Sequence, residues 1–139
     1  MVVGLIDIDG FARACGGKSD IEIFNMLNDF YNLVEKVVGK AKGTVIKFMG
    51  DSALVVFPEG RAKLAAASLH EVSSSARGIW KQFDETCAVR IKANVGPVLM
   101  GSMGHEKRID VIGNTVNQLF LMSRNGPDLS DDLKQLVEQ

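Results

Sequence analysis

The chain has 139 residues, of which 46% are hydrophobic and 24% charged, and these values predict one globular domain over residues 1–139. A formal net charge of −1 excludes the overall positive field that would attract nucleic acid or an anionic membrane. No apolar run approaches the roughly 18 residues needed to span a bilayer, and the first residues lack the features of a signal peptide, so we expect a cytoplasmic chain. The two cysteines, Cys15 and Cys87, have neither zinc-site nor disulfide spacing.

The first predicted strand ends in acidic residues. Its apolar run, Val2 to Ile6, continues into Asp7 and Asp9 and then into Gly10. Burying a strand that ends in two carboxylates costs free energy unless a cation neutralises them. The pattern therefore indicates a cation near the end of this strand.

A long helix and a hairpin follow this strand. Apolar residues at intervals of three and four predict an amphipathic helix from Asp20 to Lys42. Two apolar strands then fold back on each other over residues 43–57, around a turn at Gly50 and Asp51. Such a turn is also common hairpin chemistry, so Asp51 taken alone indicates a structural role as readily as a functional one.

The two acidic positions meet if the first strand pairs with the hairpin. Neighbouring antiparallel backbones lie ~4.8 Å apart, which would let Asp7 and Asp51 share one or two divalent cations. Magnesium suits such a site, because it takes few carboxylates and completes its octahedron with water and substrate phosphates.

The second half of the chain predicts the remaining elements of an α+β domain. They are a helix over 61–83, strands over 88–95, 98–103 and 109–112, a helix opening at 113–115 and a last helix over 130–137. The order β-α-β-β-α-β with added elements predicts a ferredoxin-like sandwich, with helices on one face of a mainly antiparallel sheet. No later element is evident to cover the opposite sheet face, whose apolar residues favour contact with a partner chain.

Four stretches of the chain stand in an order and spacing that one known family also shows. They are LIDIDGFA, GTVIKFMGDSALVVF, ANVGPVLMGSMG and RIDVIGNTVNQL. In these stretches the chain resembles the catalytic domain of class III adenylyl and guanylyl cyclases. The resemblance runs from about Val3 to Met122, and GNTVN after an apolar strand is its most specific part.

The resemblance implies a two-metal site and a triphosphate-binding loop. By the family's pattern, two Mg²⁺ or Mn²⁺ ions are held by Asp7, Asp51 and the Ile8 carbonyl. The backbone amides that receive the triphosphate belong to the three residues after the first metal motif, namely Gly10, Phe11 and Ala12. One ion lowers the pKa of the ribose 3′-hydroxyl for attack on the α-phosphorus, and the other stabilises the pyrophosphate leaving group.

The resemblance also implies residues that read the base and orient the ribose. Lys47 and Asp110 occupy the family's two base-reading positions, and Asn117 its ribose-orienting position. A lysine that donates to adenine N1 and an aspartate that accepts from the adenine amino group form the adenine pattern, which implies ATP rather than GTP. On its strand, Lys47 is expected to share an apolar face with Val45 and Met49. The structural alternatives are an edge-strand lysine that discourages aggregation and an exposed helix asparagine.

A partner subunit follows from the same resemblance. The family builds its sites across a head-to-tail dimer, with the metals from one chain and the base contacts from the other. We therefore expect a homodimer, or a pair with a second cyclase-like domain, and no nucleic-acid partner.

Three departures from the family's pattern predict a weak enzyme. The family places a phosphate-stabilising arginine one helical turn after the asparagine, where this chain has Leu121, although Arg124 lies nearly on the same helix face. The family's usual threonine after the glycine-phenylalanine pair is Ala12. Only 17 residues follow Met122, too few for the usual closing strands, so we expect a domain shortened at its carboxyl end.

Two other functions fit parts of the sequence. A non-catalytic cyclase-like module that dimerises or binds nucleotide for regulation is favoured by Leu121 and disfavoured by the intact pair Asp7 and Asp51. A diguanylate cyclase is a fold relative whose first strand also ends in a DIDxF pattern. That family needs a second glycine and a further acid in its turn, and the stretch FMGDS has neither.

Overall fold

Strand β1 is a central strand of a four-stranded sheet. The structure is a computed structural model that describes residues 1–123 and 125–139. Its strands are β1 (Val2–Asp9), β2 (Thr44–Met49), β3 (Ser52–Phe57), β4 (Ala88–Val95), β5 (Leu99–Met103) and β6 (Arg108–Ile112). Its α-helices are α1 (Phe11–Ala14), α2 (Asp20–Lys40), α3 (Ala62–Phe83), α4 (Asn114–Leu121) and α5 (Asp131–Glu138).

The sheet has the strand order β2-β3-β1-β4, and every neighbouring pair is antiparallel. This confirms the predicted ferredoxin-like arrangement of an α+β domain. Val2, Val3 and Ile6 of β1 are fully buried, although they point to both faces of the sheet. Burial on both faces explains why the sequence of β1 is a continuous apolar run and not an alternating one.

Helices α2 and α3 cover one face of the sheet. Helix α2 begins where the sequence predicts, because Ser19 and Glu22 form a reciprocal capping box at its first turn. It ends at Lys40, two residues earlier than predicted. Lys42 adopts a φ of 62°, and the Gly43 amide donates back to the Val38 carbonyl at 2.9 Å, which closes the helix.

The core between these helices and the sheet is rich in aromatic residues. Trp80 of α3 is fully buried and contacts the rings of Phe11, Phe30 and Phe83 edge-on, with centroid separations of 5.7, 5.8 and 5.7 Å. Each such contact adds roughly 0.5–1.5 kcal/mol beyond the burial of apolar area. Because Phe11 belongs to α1, this cluster anchors the segment after β1 to the helical layer.

The opposite face of the sheet is covered by α4 and β6. Val116 and Leu119 of α4 and Val111 of β6 pack against Val3 and Leu54 of the sheet. The expectation that no later element covers this face is therefore wrong. Helix α4 has only 8 residues, which is too few repeats for the sequence to show which surface its apolar side chains meet.

Helix α4 approaches β4 closely. The Asn94 side-chain amide donates to the Thr115 carbonyl at 3.0 Å, and the Thr115 hydroxyl donates to the Pro97 carbonyl at 2.8 Å. Gly96 makes room for this approach, since a Cβ built there would lie 2.5 Å from the Thr115 hydroxyl oxygen. The absence of a side chain at Gly96 thus determines how closely α4 packs on the sheet.

Strands β5 and β6 form a separate two-stranded hairpin. Several of its apolar side chains are exposed, including Leu99 at 67% and Ile109 at 59%. Exposed apolar side chains gathered on one hairpin mark an interaction surface.

The last residues return to the outer edge of β4. Ala93 donates its amide to the Asp128 carbonyl at 2.8 Å, and its carbonyl accepts from the Ser130 amide at 2.9 Å. Ser130 then caps α5 by accepting from the Leu133 amide at 3.3 Å. Within the described residues, no helix combines the length and the apolar character that a membrane crossing requires.

Candidate active site

The end of β1 brings Asp7 next to the hairpin turn. The β1–β3 ladder ends at the pair of Asp7 and Ser52, so Asp51 lies one residue beyond the partner of Asp7. Directly opposed residues of an antiparallel pair have Cα atoms about 4.5–5.5 Å apart. The structure therefore brings the two predicted metal-binding carboxylates to one end of the sheet, Asp7 on β1 and Asp51 in the turn before the neighbouring strand β3.

Asp7 and Asp51 approach this end from different sides. Asp7 alternates onto the same face of β1 as Leu5, which packs under α4, and it lines a groove with Lys92. Asp51 lies toward α2. Burial raises the pKa of the Tyr31 hydroxyl, and the negative charge of Asp51 raises it further. The two carboxylates thus lie at the same end of β1.

The turn that carries Asp51 is held by two side-chain hydroxyls. Tyr31 of α2 donates to the Gly50 carbonyl at 2.6 Å, and Ser52 donates to the Met49 carbonyl at 3.1 Å. Gly50 itself has a φ of 62°, in the left-handed region that glycine adopts without strain. The conformation of this turn is therefore fixed from both of its ends.

The donor set at this end of the sheet fits a magnesium or manganese ion. Two carboxylates and the Ile8 carbonyl offer hard oxygen ligands, and such ions take few protein ligands when substrate phosphates and water complete the shell. Over residues 1–123 and 125–139, no cluster of three or more His, Cys, Asp or Glu side chains could hold a metal. Two carboxylates leave most coordination positions of such an ion open, so this donor set fits a site that shares its ions with a substrate.

The predicted triphosphate loop forms the start of α1. Gly10 has a φ of 78° and precedes the helix, while Phe11 and Ala12 lie in its first turn. The first amides of a helix have no carbonyl partner within that helix, so they are available to a ligand. The contact of Phe11 with Trp80 fixes this loop against α3.

Lys47 and Asp110 are joined by an ion pair. Lys47 Nζ lies 3.1 Å from Asp110 Oδ2, although the residues are 63 positions apart in the chain. Their side chains remain 42% and 29% exposed, in a groove that Phe48 and Ile109 also line. The Val111 amide and the Lys47 ammonium both hold the pKa of the Asp110 carboxyl below its ordinary value, so this group is ionised at neutral pH.

A β-bulge sets the face on which Lys47 lies. The register of β2 against β3 shifts between Val45 and Lys47, with Ile46 as the extra residue. Val45 packs into the core under α2, and Met49 into the core under α4. The expectation that Lys47 shares a face with both residues is wrong for Val45, because the bulge moves Lys47 to the face where Asp110 lies.

Helix α4 presents Asn117 and Leu121 on its exposed surface. Asn117 continues the helix through its amide, which donates to the Gly113 carbonyl at 3.0 Å. Leu121 is the last residue of α4 and is 83% exposed, and Phe120 is also exposed. Being four residues apart, Asn117 and Leu121 lie on one helix face. Arg124, the suggested substitute for the missing arginine, lies outside the described residues.

Lys92 places a positive charge at the end of α4. Its ammonium donates to the carbonyls of Phe120 and Met122, each at 3.3 Å. A cation at this position interacts favourably with the helix dipole. The contact of Lys92 with α4 had no signal in the sequence.

Tyr31 is a second residue that sequence reasoning missed. A signal for it did exist, because Tyr31 stands four residues after Leu27 and three before Val34 on the apolar stripe of α2. The polar end of its side chain, which reaches the hairpin turn, could not be placed without the pairing of β2 and β3.

The chain matches known proteins over most of its length. The family profile described as "Adenylate and Guanylate cyclase catalytic domain" matches residues 2–130. An adenylate cyclase of Anabaena cylindrica is 32% identical over 130 residues, which cover 84% of this chain and 25% of that protein. The chain spans a quarter or less of the length of the curated relatives that it matches.

Two solved structures share the fold. The guanylyl cyclase Cya2 superposes with a TM-score of 0.86 at 24% identity, over 98% of this chain and 77% of that one. The adenylyl cyclase CyaB from P. aeruginosa superposes with a TM-score of 0.85 at 21% identity, over 99% of this chain and 79% of that one. Because one of these proteins is a guanylyl cyclase and the other an adenylyl cyclase, the shared fold does not select the purine.

Proposed function

Since the chain belongs to the family of adenylate and guanylate cyclase catalytic domains, we propose that it converts ATP to cyclic AMP and pyrophosphate at sites shared between two subunits. We also propose that residues 1–139 form one catalytic domain. Its cytoplasmic location stays a prediction. Membership in this family leaves no basis for the diguanylate cyclase alternative.

The observation that carries the choice of ATP is the ion pair of Lys47 and Asp110. A donor and an acceptor 3.1 Å apart in a partly exposed groove match the N1 acceptor and the amino donor of adenine. Guanine carries a donor at N1, so a site that reads guanine needs an acceptor where Lys47 stands. The pair also holds both groups in place before a base arrives, which lowers the entropy cost of binding.

The proposed reaction needs little chemistry from the protein beyond positioning. Asp7, Asp51 and the Ile8 carbonyl would hold two divalent cations, which supply the Lewis acidity for the 3′-hydroxyl and for the leaving pyrophosphate. The bond from the 3′-oxygen to the α-phosphorus forms, the bond from the α-phosphorus to the bridging oxygen breaks, and the hydroxyl proton goes to solvent. The residues that bind the triphosphate and orient the ribose are Gly10, Phe11, Ala12 and Asn117.

We propose that turnover is slow, because Leu121 stands where the family has its phosphate-stabilising arginine. An arginine on a transferring phosphoryl group is worth roughly 10³-fold or more in related chemistry. Lys92 lies near the end of α4, but its ammonium donates to two backbone carbonyls there. It is therefore a poor replacement for a guanidinium that must reach the substrate.

The exposed hairpin of β5 and β6 supports a dimer. Apolar side chains such as Leu99 and Ile109 lie in water in the single chain and would be buried by a second subunit. In the proposed assembly, each site takes its carboxylates from one subunit and the Lys47–Asp110 pair from the other. A homodimer then has two equivalent sites.

The proposal is tested by incubating the protein with Mn²⁺ and either ATP or GTP. We expect slow formation of cyclic AMP and an equal amount of pyrophosphate, a lower rate with GTP, and no product from the Asp51→Asn protein. A folded protein that neither forms a cyclic nucleotide nor binds ATP in a Mn²⁺-dependent manner would overturn the proposal.

A second candidate function is a non-catalytic module that binds nucleotide and dimerises for regulation. The observation that favours it is Leu121, exposed on α4 with no guanidinium at its position. This candidate shares the predicted metal-dependent binding of ATP and differs only in turnover. The Leu121→Arg protein separates the two, because only an enzyme would gain turnover from the added guanidinium.

A further inference from the structure

Tyr31 lies against the turn that carries Asp51 and has no part in the function proposed above. We infer that Tyr31 is a positioning residue, which orients the Gly50–Asp51 peptide and, through it, the Asp51 carboxylate for cation binding. The inference rests on the proposed metal role of Asp51.

The ring of Tyr31 is fixed along the strand that enters the turn. It stacks on the ring of Phe48, with centroids 3.8 Å apart and an angle of 17° between the ring planes. Phe48 stands two residues before Gly50, and both rings are half-buried at the edge of the core under α2. An aromatic pair held in this way has little freedom, so its polar end is placed accurately.

The hydroxyl of Tyr31 ends on the turn itself. It donates to the Gly50 carbonyl at 2.6 Å, a short bond for two oxygen atoms. That carbonyl belongs to the peptide that joins Gly50 to Asp51. Because a peptide unit is planar, fixing its carbonyl also fixes its N–H and the direction in which the Asp51 Cα follows.

The turn needs such a contact because of its glycine. Gly50 is exposed and has a φ of 62°, a conformation that glycine reaches easily and also leaves easily. Helix α2, in contrast, runs for 21 residues from a capping box and is packed on the sheet. The bond from Tyr31 therefore ties a glycine peptide, which has wide conformational freedom by itself, to a rigid helix, and a metal ligand on that peptide binds with less ordering cost.

The test is the Tyr31→Phe protein, which keeps the ring and loses only the hydroxyl. The dissociation constant for Mn²⁺ is measured by electron paramagnetic resonance with 3′-deoxy-ATP, which cannot cyclise because it lacks the attacking hydroxyl. We expect Mn²⁺ to bind about fivefold more weakly, the effect of losing one hydrogen bond of ordinary strength. Hydrogen exchange at the amides of residues 50–52 should become faster.

A matched control is Ser68→Ala. This substitution removes another hydroxyl that donates to the backbone of α2, at 3.3 Å to the Val37 carbonyl, without touching the turn. It should leave Mn²⁺ affinity unchanged. In a turnover assay, Tyr31→Phe should raise the KM for Mn²⁺ while kcat at saturating Mn²⁺ is retained. In the Asp51→Asn background, Tyr31→Phe should cause no further loss of Mn²⁺ affinity.

Failure of this inference and failure of the proposed function give different results. If Asp51→Asn weakens Mn²⁺ binding and Tyr31→Phe behaves like Ser68→Ala, the positioning role is overturned while the function stands. If the Asp51→Asn protein binds Mn²⁺ as the parent does, the metal role of Asp51 is wrong, and the role of Tyr31 is overturned with it.

Discussion

The residues that the sheet contributes to the site and those that α4 contributes differ in how firmly one chain holds them. Asp51 sits in a turn fixed by two hydroxyls, and Lys47 and Asp110 hold each other at 3.1 Å. Asn117 and Leu121 lie on an exposed helix face. In the proposed function, the first set would hold the metal and read the base, whereas α4 is where the reaction's charge would be stabilised. If the proposed function holds, each subunit brings its metal-binding and base-reading groups already positioned by its own fold, and turnover is limited at α4.

The largest effect should come from the sheet side. Asp7→Asn should weaken Mn²⁺-dependent binding of ATP by at least about 100-fold, since loss of a mere supporting contact to a metal ligand already costs roughly 10–100-fold. Isothermal titration calorimetry with and without Mn²⁺ measures this. Asp128→Asn, a change of a carboxylate lining the same groove, is the control. Unaltered metal dependence in the Asp7→Asn protein would show that Asp7 does not bind the metal.

Repair of α4 should have the next largest effect. Leu121→Arg should raise the rate of cyclic AMP formation by at least about tenfold, a fraction of the roughly 10³-fold that such an arginine supplies in related chemistry. Position 121 is exposed, so a guanidinium there meets no packed neighbour. Leu121→Gln controls for removal of the leucine. A folded Leu121→Arg protein that binds Mn²⁺-ATP and forms no more product than its parent would make this chain a binding module.

A substitution in the hairpin of β5 and β6 tests whether the site is shared between two subunits. Leu99→Ser should raise the dimer dissociation constant by about tenfold, equivalent to ~1.4 kcal/mol, less than the value of fully burying one leucine. Phe24→Ser, at an exposed apolar position on α2, should have no effect. Sedimentation equilibrium measures both. A parent protein that stays monomeric at high micromolar concentration would contradict the shared site.

A smaller change is expected from the base-reading pair. Lys47→Glu combined with Asp110→Cys should lower the ratio of kcat/KM for ATP to kcat/KM for GTP by about fivefold. The substitution replaces a donor to adenine N1 with an acceptor for the guanine N1 hydrogen, and one such hydrogen bond has ordinary strength. The single variants should lose activity with both nucleotides, since each leaves one partner unpaired. A double variant with the parent's preference would show that the base is read elsewhere.

The smallest expected effect is on the titration of Asp110. Its pKa lies below the ordinary value of about 3.9, so any stability that it contributes is present above that value and is lost as the pH falls through its pKa in the folded chain. In Lys47→Ala the pKa should rise but stay below the ordinary value, because the Val111 amide still donates to the carboxylate. Carbon-detected NMR titration of the Asp110 carboxyl measures the shift, and an unchanged value would mean that the ion pair is absent in solution.

Local patterns predicted most of the fold. The alternation in β4 predicted its bounds of Ala88–Val95, and the spacing in α2 and α3 predicted both long helices, each to within two residues. These elements have faces of constant polarity, so the sequence carries their period directly. The ion pair of Lys47 and Asp110 joins two positions that the family resemblance had already singled out, but their roles stay predictions.

What the sequence did not predict depends on pairing between distant segments. The bulge at Ile46 arises from a shift in the pairing of β2 with β3, and the residues around Ile46 contain no pattern that predicts it. Lys92 meets α4, and Tyr31 meets the turn, across chain separations of 28 and 19 residues. The cover that α4 gives to the second sheet face is of the same kind.

A substitution at Gly96 would affect α4 and the four-stranded sheet differently. Any side chain there would press on Thr115 and lift α4 from the sheet, because a first carbon already falls 2.5 Å from the Thr115 oxygen. The ladders of the four-stranded sheet, which position Asp7 and Lys47, are formed without α4. A displacement of about 1 Å at a reacting group can lower a rate by roughly 10²-fold. Under the proposed function, a lineage that lost this glycine would keep its metal-binding carboxylates in place while cyclisation slowed, so this one codon would affect turnover more than binding.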